Sequence, residues 1–130
     1  MRAVDTNVLV RLLVDDEPAQ ATAAQQAMSA VPVFVPKTVI LEFEWVLRSV
    51  YQRPPTVVAS AIESLLAAAD ISVEDASAVS RAVGWFKQGL DLADALHLAS
   101  SAHADSFLSF DATMRRRAAR RGIKPQVVAP

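Results

Sequence analysis

Four carboxylates stand out in an otherwise apolar chain: Asp5, Glu42, Asp94 and Asp111. Two of them lie in the stretch that runs from Leu90 to Asp111. It opens Leu90-Asp91-Leu92-Ala93-Asp94-Ala95-Leu96-His97-Leu98-Ala99, with helical spacing and almost no breakers. It closes Ser106-Phe107-Leu108-Ser109-Phe110-Asp111, a short apolar run of strand length. One acid therefore sits at a helix start and another just past a strand end. Asp5 follows the short apolar run Ala3-Val4 in the same way, and ligands of open α/β sheets bind at the carboxyl ends of strands. Three of the four acids also have a plainer role open to them. Asp5 can be a helix N-cap, Glu42 can pair with an arginine, and Asp91 and Asp94 can be capping acids favoured by the helix dipole. The two kinds of role are compatible: Asp91 can cap while Asp94, in the first turn, points into a cleft. His97 lies one turn after Asp94, where it is either a base or ligand or, as a lone helical histidine usually is, a packed or surface residue.

The remaining elements must bring these acids together. Thr6 or Asn7 can cap a helix over Val8–Val14, and Pro18 opens a second helix to about Ser29. Val31–Pro36 is apolar throughout, as a strand covered on both faces would be. The spacing predicts a helix over Lys37–Tyr51 that is apolar nearly all round, which makes it the best dimer-interface candidate. Within it Glu44 can pair with Arg48 at i,i+4, a structural role. Arg53-Pro54-Pro55 breaks the chain before a helix over Thr56–Ala69, and Ile71–Val73 is a short strand. A helix from Glu74-Asp75 through Gln88 ends at Gly89. Ala112–Arg121 is a basic helix ended by Gly122, and Gln126–Val128 is a last strand. Strand–helix alternation predicts an α/β fold, a three-layer sandwich with a central, mainly parallel twisted sheet. On that frame the four acids could converge at one end of the sheet.

Composition narrows the function classes. Hydrophobic residues make up 52% of the 130, yet no run approaches the ~18 uninterrupted apolar residues of a membrane helix. Asp5 and Arg11 interrupt the first apolar run and no small-residue cleavage site follows, so a cytoplasmic location is expected. The absence of cysteine excludes disulfides and a thiolate zinc site. With no repeats, linker or low-complexity segment, residues 1–130 read as a single domain, and the apolar surplus points to a buried oligomer or partner surface. The chain carries 13 Lys and Arg against 14 Asp and Glu. With four acids gathered in one site, the rest is net basic, and much of that charge lies late, in Arg115, Arg116, Arg117, Arg120, Arg121 and Lys124. An acidic centre beside a basic rim suits a phosphate-bearing substrate.

The chain resembles PIN-domain ribonucleases, and most closely the VapC type of toxin from bacterial toxin–antitoxin pairs. The likeness rests on Val4-Asp5-Thr6-Asn7-Val8-Leu9, on Val35-Pro36 followed by Glu42 and Leu47, on Asp94-Ala95-Leu96-His97-Leu98-Ala99, and on Leu108-Ser109-Phe110-Asp111. It implies that Asp5, Glu42, Asp94 and Asp111 hold a divalent metal, with Thr6 or Asn7 and Ser109 in supporting positions. Ser109 stands where relatives often carry threonine and keeps the hydroxyl; Asp91 stands at a position often acidic in relatives. The resemblance further implies hydrolysis of single-stranded RNA to a 5′-phosphate and a 3′-hydroxyl, a homodimer, and a cognate antitoxin. Arg115, Arg116 and Arg120 would hold the RNA backbone, or else form a solvated helix face.

The chemistry of the residues agrees. Four carboxylates without a thiolate make a hard oxygen site suited to Mg²⁺ or Mn²⁺. Two carboxylates ~5 Å apart repel by roughly 3 kcal/mol at an effective dielectric of ~20, so a metal-free cluster is expected to be strained. Two other classes compete. One is a non-catalytic module of the same fold that binds RNA or protein. The other is a phosphatase with Asp5 as covalent nucleophile, against which Asn7 stands where a second acid is typical.

Overall fold

Seven helices and five very short strands alternate along the chain in the computed structural model, which describes residues 1–130. In order they are β1 (Arg2–Ala3), α1 (Thr6–Leu13), α2 (Pro18–Ala30), β2 (Val33–Val35), α3 (Lys37–Ser49) and α4 (Pro55–Ala67). Then come β3 (Ile71–Val73), α5 (Ala76–Lys87), α6 (Leu92–Ala99), β4 (Ser106–Leu108), α7 (Ala112–Arg120) and β5 (Gln126–Val128). Every strand pair is parallel, and each is joined through helical crossovers, as parallel pairing demands. The expected parallel α/β sandwich is therefore present.

The sheet itself is in two pieces. β1, β2 and β3 form one ladder, with Val33 opposite both Arg2 and Ile71, and β4 and β5 form another. The strands are only two or three residues long, so each ladder rests on few hydrogen bonds. Both β1 residues are exposed, and so is Leu108 of β4.

Burial explains why the elements hold. Val33 and Val35 of β2 are sealed from solvent, as the apolar run suggested. In α3 the buried residues are Ile40, Phe43, Glu44 and Leu47, a single stripe at helical spacing. The all-round burial expected of α3 is not found: Trp45 and Val50 remain 54% and 58% exposed. The short α6 buries Leu92, Ala95, Leu96, Leu98 and Ala99 and packs chiefly on α5 and α3. Full burial of each such Leu is worth about 1.5–3 kcal/mol, enough to fix a helix too short to be stable alone.

The helix ends follow local chemistry. Asp5, rather than Thr6 or Asn7, caps α1, so the helix begins two residues earlier than the sequence suggested. Asp91 caps α6 and Asp111 caps α7. Gly89 and Gly122, with φ of 103° and 62°, follow α5 and α7 in the left-handed conformation that closes a helix. No helix is long and apolar enough to cross a membrane.

Candidate active site

The first half of the site is built where β1 and β2 hand over to their helices. Asp5 accepts the backbone N–H of Thr6 at 2.8 Å, which fixes its carboxylate at the start of α1. The Thr6 side chain is buried, and its hydroxyl donates to Glu42 Oε1. Glu42 lies in the second turn of α3 and would otherwise be an exposed, freely turning side chain. Because β1 and β2 are parallel, both segments leave the same edge of the ladder, and the hydroxyl draws Glu42 toward Asp5's helix.

The second half is built on α6 and α7. Asp91 accepts the N–H groups of Ala93 and Asp94 at 2.8 and 3.3 Å. Asp111 accepts those of Thr113 and Met114 at 2.9 and 3.1 Å. Its own N–H donates to Ser109 Oγ at 3.0 Å, and Arg115 Nη1 donates to the Ser109 carbonyl at 2.7 Å, so the loop between β4 and α7 is tied at both faces. Asp94 stands between these caps. Burial raises its carboxyl above the ordinary range; the negative charges of Asp91 and Asp111 push it further, while His97 and Arg117 oppose them.

Asp91 links the halves. It shares with Glu42, Thr38, Trp45 and Arg48 a cleft of about 390 Å³. The structure thus brings Glu42 to Thr6, and Asp94 into the field of Asp91 and Asp111, but it does not close all four expected acids around one point. No three Asp, Glu or His side chains stand close enough together to hold an ion. The donor set nonetheless suits a hard cation. Mg²⁺ commonly takes only one or two carboxylates and fills the rest of its octahedron with water and substrate oxygens. A half-buried carboxyl held up by two negative neighbours is one that a cation would relieve.

The other expected residues are distributed as follows. Asn7 lines a separate cleft with Val8, Arg11 and Gln20, facing α2. Arg115 is committed to Ser109, so it positions the Asp111 loop. Arg116 is exposed and reaches Thr113 Oγ1 at 3.3 Å; Arg120 is exposed on the same helix. Glu44 is buried and takes Arg48 Nε on both oxygens at 3.1 Å, the structural pairing expected of it. Arg117 is the site residue that sequence reasoning passed over. It belonged visibly to the basic run, and in the folded chain its positive charge opposes the raised carboxyl of Asp94.

The family model of the PIN domain matches residues 2–120, and the chain belongs to that family. PIN domains are generally nucleases, and typically use divalent metals. No curated protein matches the chain.

Proposed function

We propose that this chain is a divalent-metal-dependent endoribonuclease, acting as the toxin of a VapC-type toxin–antitoxin pair in the cytoplasm. The observation that carries the reading is the state of Asp94: half-buried, in the first turn of α6, and raised by burial and by two further carboxylates. A purely structural acid would have a basic partner or a full set of hydrogen bonds. Asp94 has neither, only the distant opposing charges of His97 and Arg117.

One or two carboxylates drawn from Asp94, Asp111, Asp5 and Glu42 would hold Mg²⁺ or Mn²⁺, with water and RNA oxygens completing the shell. When bound, such an ion polarises a phosphodiester, lowers the pKa of its water and stabilises charge on the leaving oxygen. The chain's own residues do the rest. Thr6 orients Glu42, which with Asp94 would align the attacking water. Ser109 and Arg115 hold the Asp111 loop, and Asp91 fixes the start of α6. Arg116, Arg117 and Arg120 offer cations to the phosphates on either side of the cut. The products are a 5′-phosphate and a 3′-hydroxyl.

The partners follow from charge and exposed apolar surface. The cleft of Glu42 and Asp91 with exposed Trp45 at its wall fits an antitoxin segment that lays a lysine or arginine against the acids and covers the ring. Exposed Val50, the C-cap residue of the same helix, supports a homodimer through α3. If co-expression of the neighbouring gene product leaves activity unchanged, the antitoxin reading is wrong.

A non-catalytic RNA- or protein-binding module is the second reading, favoured by the open spacing of the acids. One assay separates the two. Labelled single-stranded RNA should be cut in Mg²⁺ or Mn²⁺, spared in EDTA, and spared by Asp94→Asn. Cutting that survives both EDTA and Asp94→Asn overturns the metal-dependent reading, and RNA binding without cutting establishes the module.

A further inference from the structure

A cleft of about 360 Å³ opens between the start of α3, the end of α6 and β4. Its lining includes Lys37, Thr38, Leu96, His97, Ser100 and Phe107. The imidazole of His97 and the ring of Phe107 lie nearly parallel, 17° apart in plane with centroids 6.3 Å apart. Phe107 is half-buried against the core, whereas His97 is exposed and its ring makes no hydrogen bond. The packing of α6 therefore does not need an imidazole at this position. His97 also follows Asp94 by one turn of the same helix, so whatever occupies the cleft lies beside the candidate active site.

The charges decide what kind of ligand fits. Lys37 Nζ donates to Asp75 Oδ2 and to Ser100 Oγ, both at 3.0 Å. Glu74, also in the lining, accepts the Lys37 backbone N–H at 2.8 Å. Two carboxylates thus offset the one ammonium, and a phosphate would meet no net positive charge. A neutral, flat group is the better match: rings to stack on, an apolar floor, and hydroxyls of Thr38 and Ser100 at the edge. Proteins recognise unpaired RNA bases with aromatic platforms and polar groups at the base edge. The volume lies in the range of small-molecule sites and admits a base with its ribose.

We propose that this cleft receives one unpaired nucleotide of the RNA strand, its base stacked on His97. His97 is then a binding residue that holds the strand beside the candidate active site. This rests on the RNA-cleaving reading given above, and the test is arranged so that the two can fail separately.

The probe is octauridylate carrying one central 2-aminopurine, bound to the full chain with Asp94→Asn so that the strand stays intact in Mg²⁺. Stacking quenches the fluorescence of 2-aminopurine. Binding with quenching is expected for Asp94→Asn alone. Adding His97→Ala should weaken binding about tenfold, within the range seen when a stacking ring is removed, and abolish the quench. Adding His97→Phe, which keeps a ring, should restore both to within about twofold. Equal binding and equal quench in the His97→Ala chain overturn the proposal. If the wild-type chain cuts RNA but the probe is never quenched, the base site alone is wrong. If the wild-type chain neither binds nor cuts RNA, the nuclease reading falls and takes this proposal with it.

Discussion

The hydroxyl of Thr6 donates to the carboxylate of Glu42, joining the first turn of α1 to the second turn of α3 across 36 residues of sequence. Thr6 is only 3% exposed, so the donor is fixed and the acceptor, on an otherwise exposed side chain, is held by it. The position next to a helix-capping Asp5 thus has a second task, which is to aim another acid.

Thr6→Val keeps the volume and removes the donor. It should cost about 1 kcal/mol of stability, the usual worth of one hydrogen bond, and reduce RNA cleavage about tenfold. Thr6→Ser should restore cleavage more than stability. Denaturant unfolding and cleavage rates measured on the same preparations check both; an unchanged rate in Thr6→Val would show that Glu42 does not need aiming.

Asp94→Asn should stabilise the metal-free protein at neutral pH. The carboxyl of Asp94 is raised in the folded state, by burial first and then by Asp91 and Asp111. A raised carboxyl contributes most below its unfolded value, near pH 4, and that contribution is lost as pH rises through the folded value. The amide escapes the loss. Calorimetry should find Asp94→Asn melting higher than wild type at pH 7 and level with it below about pH 4. Added Mg²⁺ should raise the wild-type melting temperature and leave that of Asp94→Asn nearly unmoved. A variant that melts lower than wild type at pH 7 would mean that Asp94 is a structural acid.

Glu44 and Arg48 should respond unequally to mutation. Glu44 is buried and Arg48 half-exposed, and the hydrogen-bonded carboxylate raises the arginine's pKa. Arg48→Met strands a buried charge and should cost about 1–3 kcal/mol, whereas Glu44→Gln keeps an acceptor and should cost less than about 1 kcal/mol. Urea unfolding of the two variants reads the order directly.

Gln52 sits at φ 52°, in the turn before Pro54. A side chain there costs about 1–2 kcal/mol, which Gln52→Gly would relieve less glycine's greater freedom when unfolded, leaving a gain of roughly 0.5–1 kcal/mol. Thermal melting checks the sign.

Much of this was legible in the residues because local signals agree with the fold. Proline and glycine mark the ends of α2, α4, α5 and α7 to within a residue or two, and the apolar runs of β2, β3 and β5 stand where the strands form. Asp5, Asp91 and Asp111 were visible as acids at element ends, and all three do cap helices. What was hidden depends on long-range placement. That the strands form two ladders was one such feature, because β1 and β4 are too short for their patterns to declare a neighbour. The exposed face of α3 could not be told from its buried one, because Trp45 and Val50 are as apolar as the residues inside. The charges that Asp94 feels from Asp111 and Arg117 depend on the relative position of α6 and α7, which no spacing along the chain records.

The central claim is that Asp94, raised by burial and left without a basic partner, takes a divalent cation together with Asp111. Electron paramagnetic resonance of free Mn²⁺, titrated against the wild-type chain and against a chain with Asp94→Asn and Asp111→Asn together, measures it most directly. The expected result is loss of the free-ion signal with the wild-type chain and its return with the double variant. Equal free Mn²⁺ in the two titrations would contradict it.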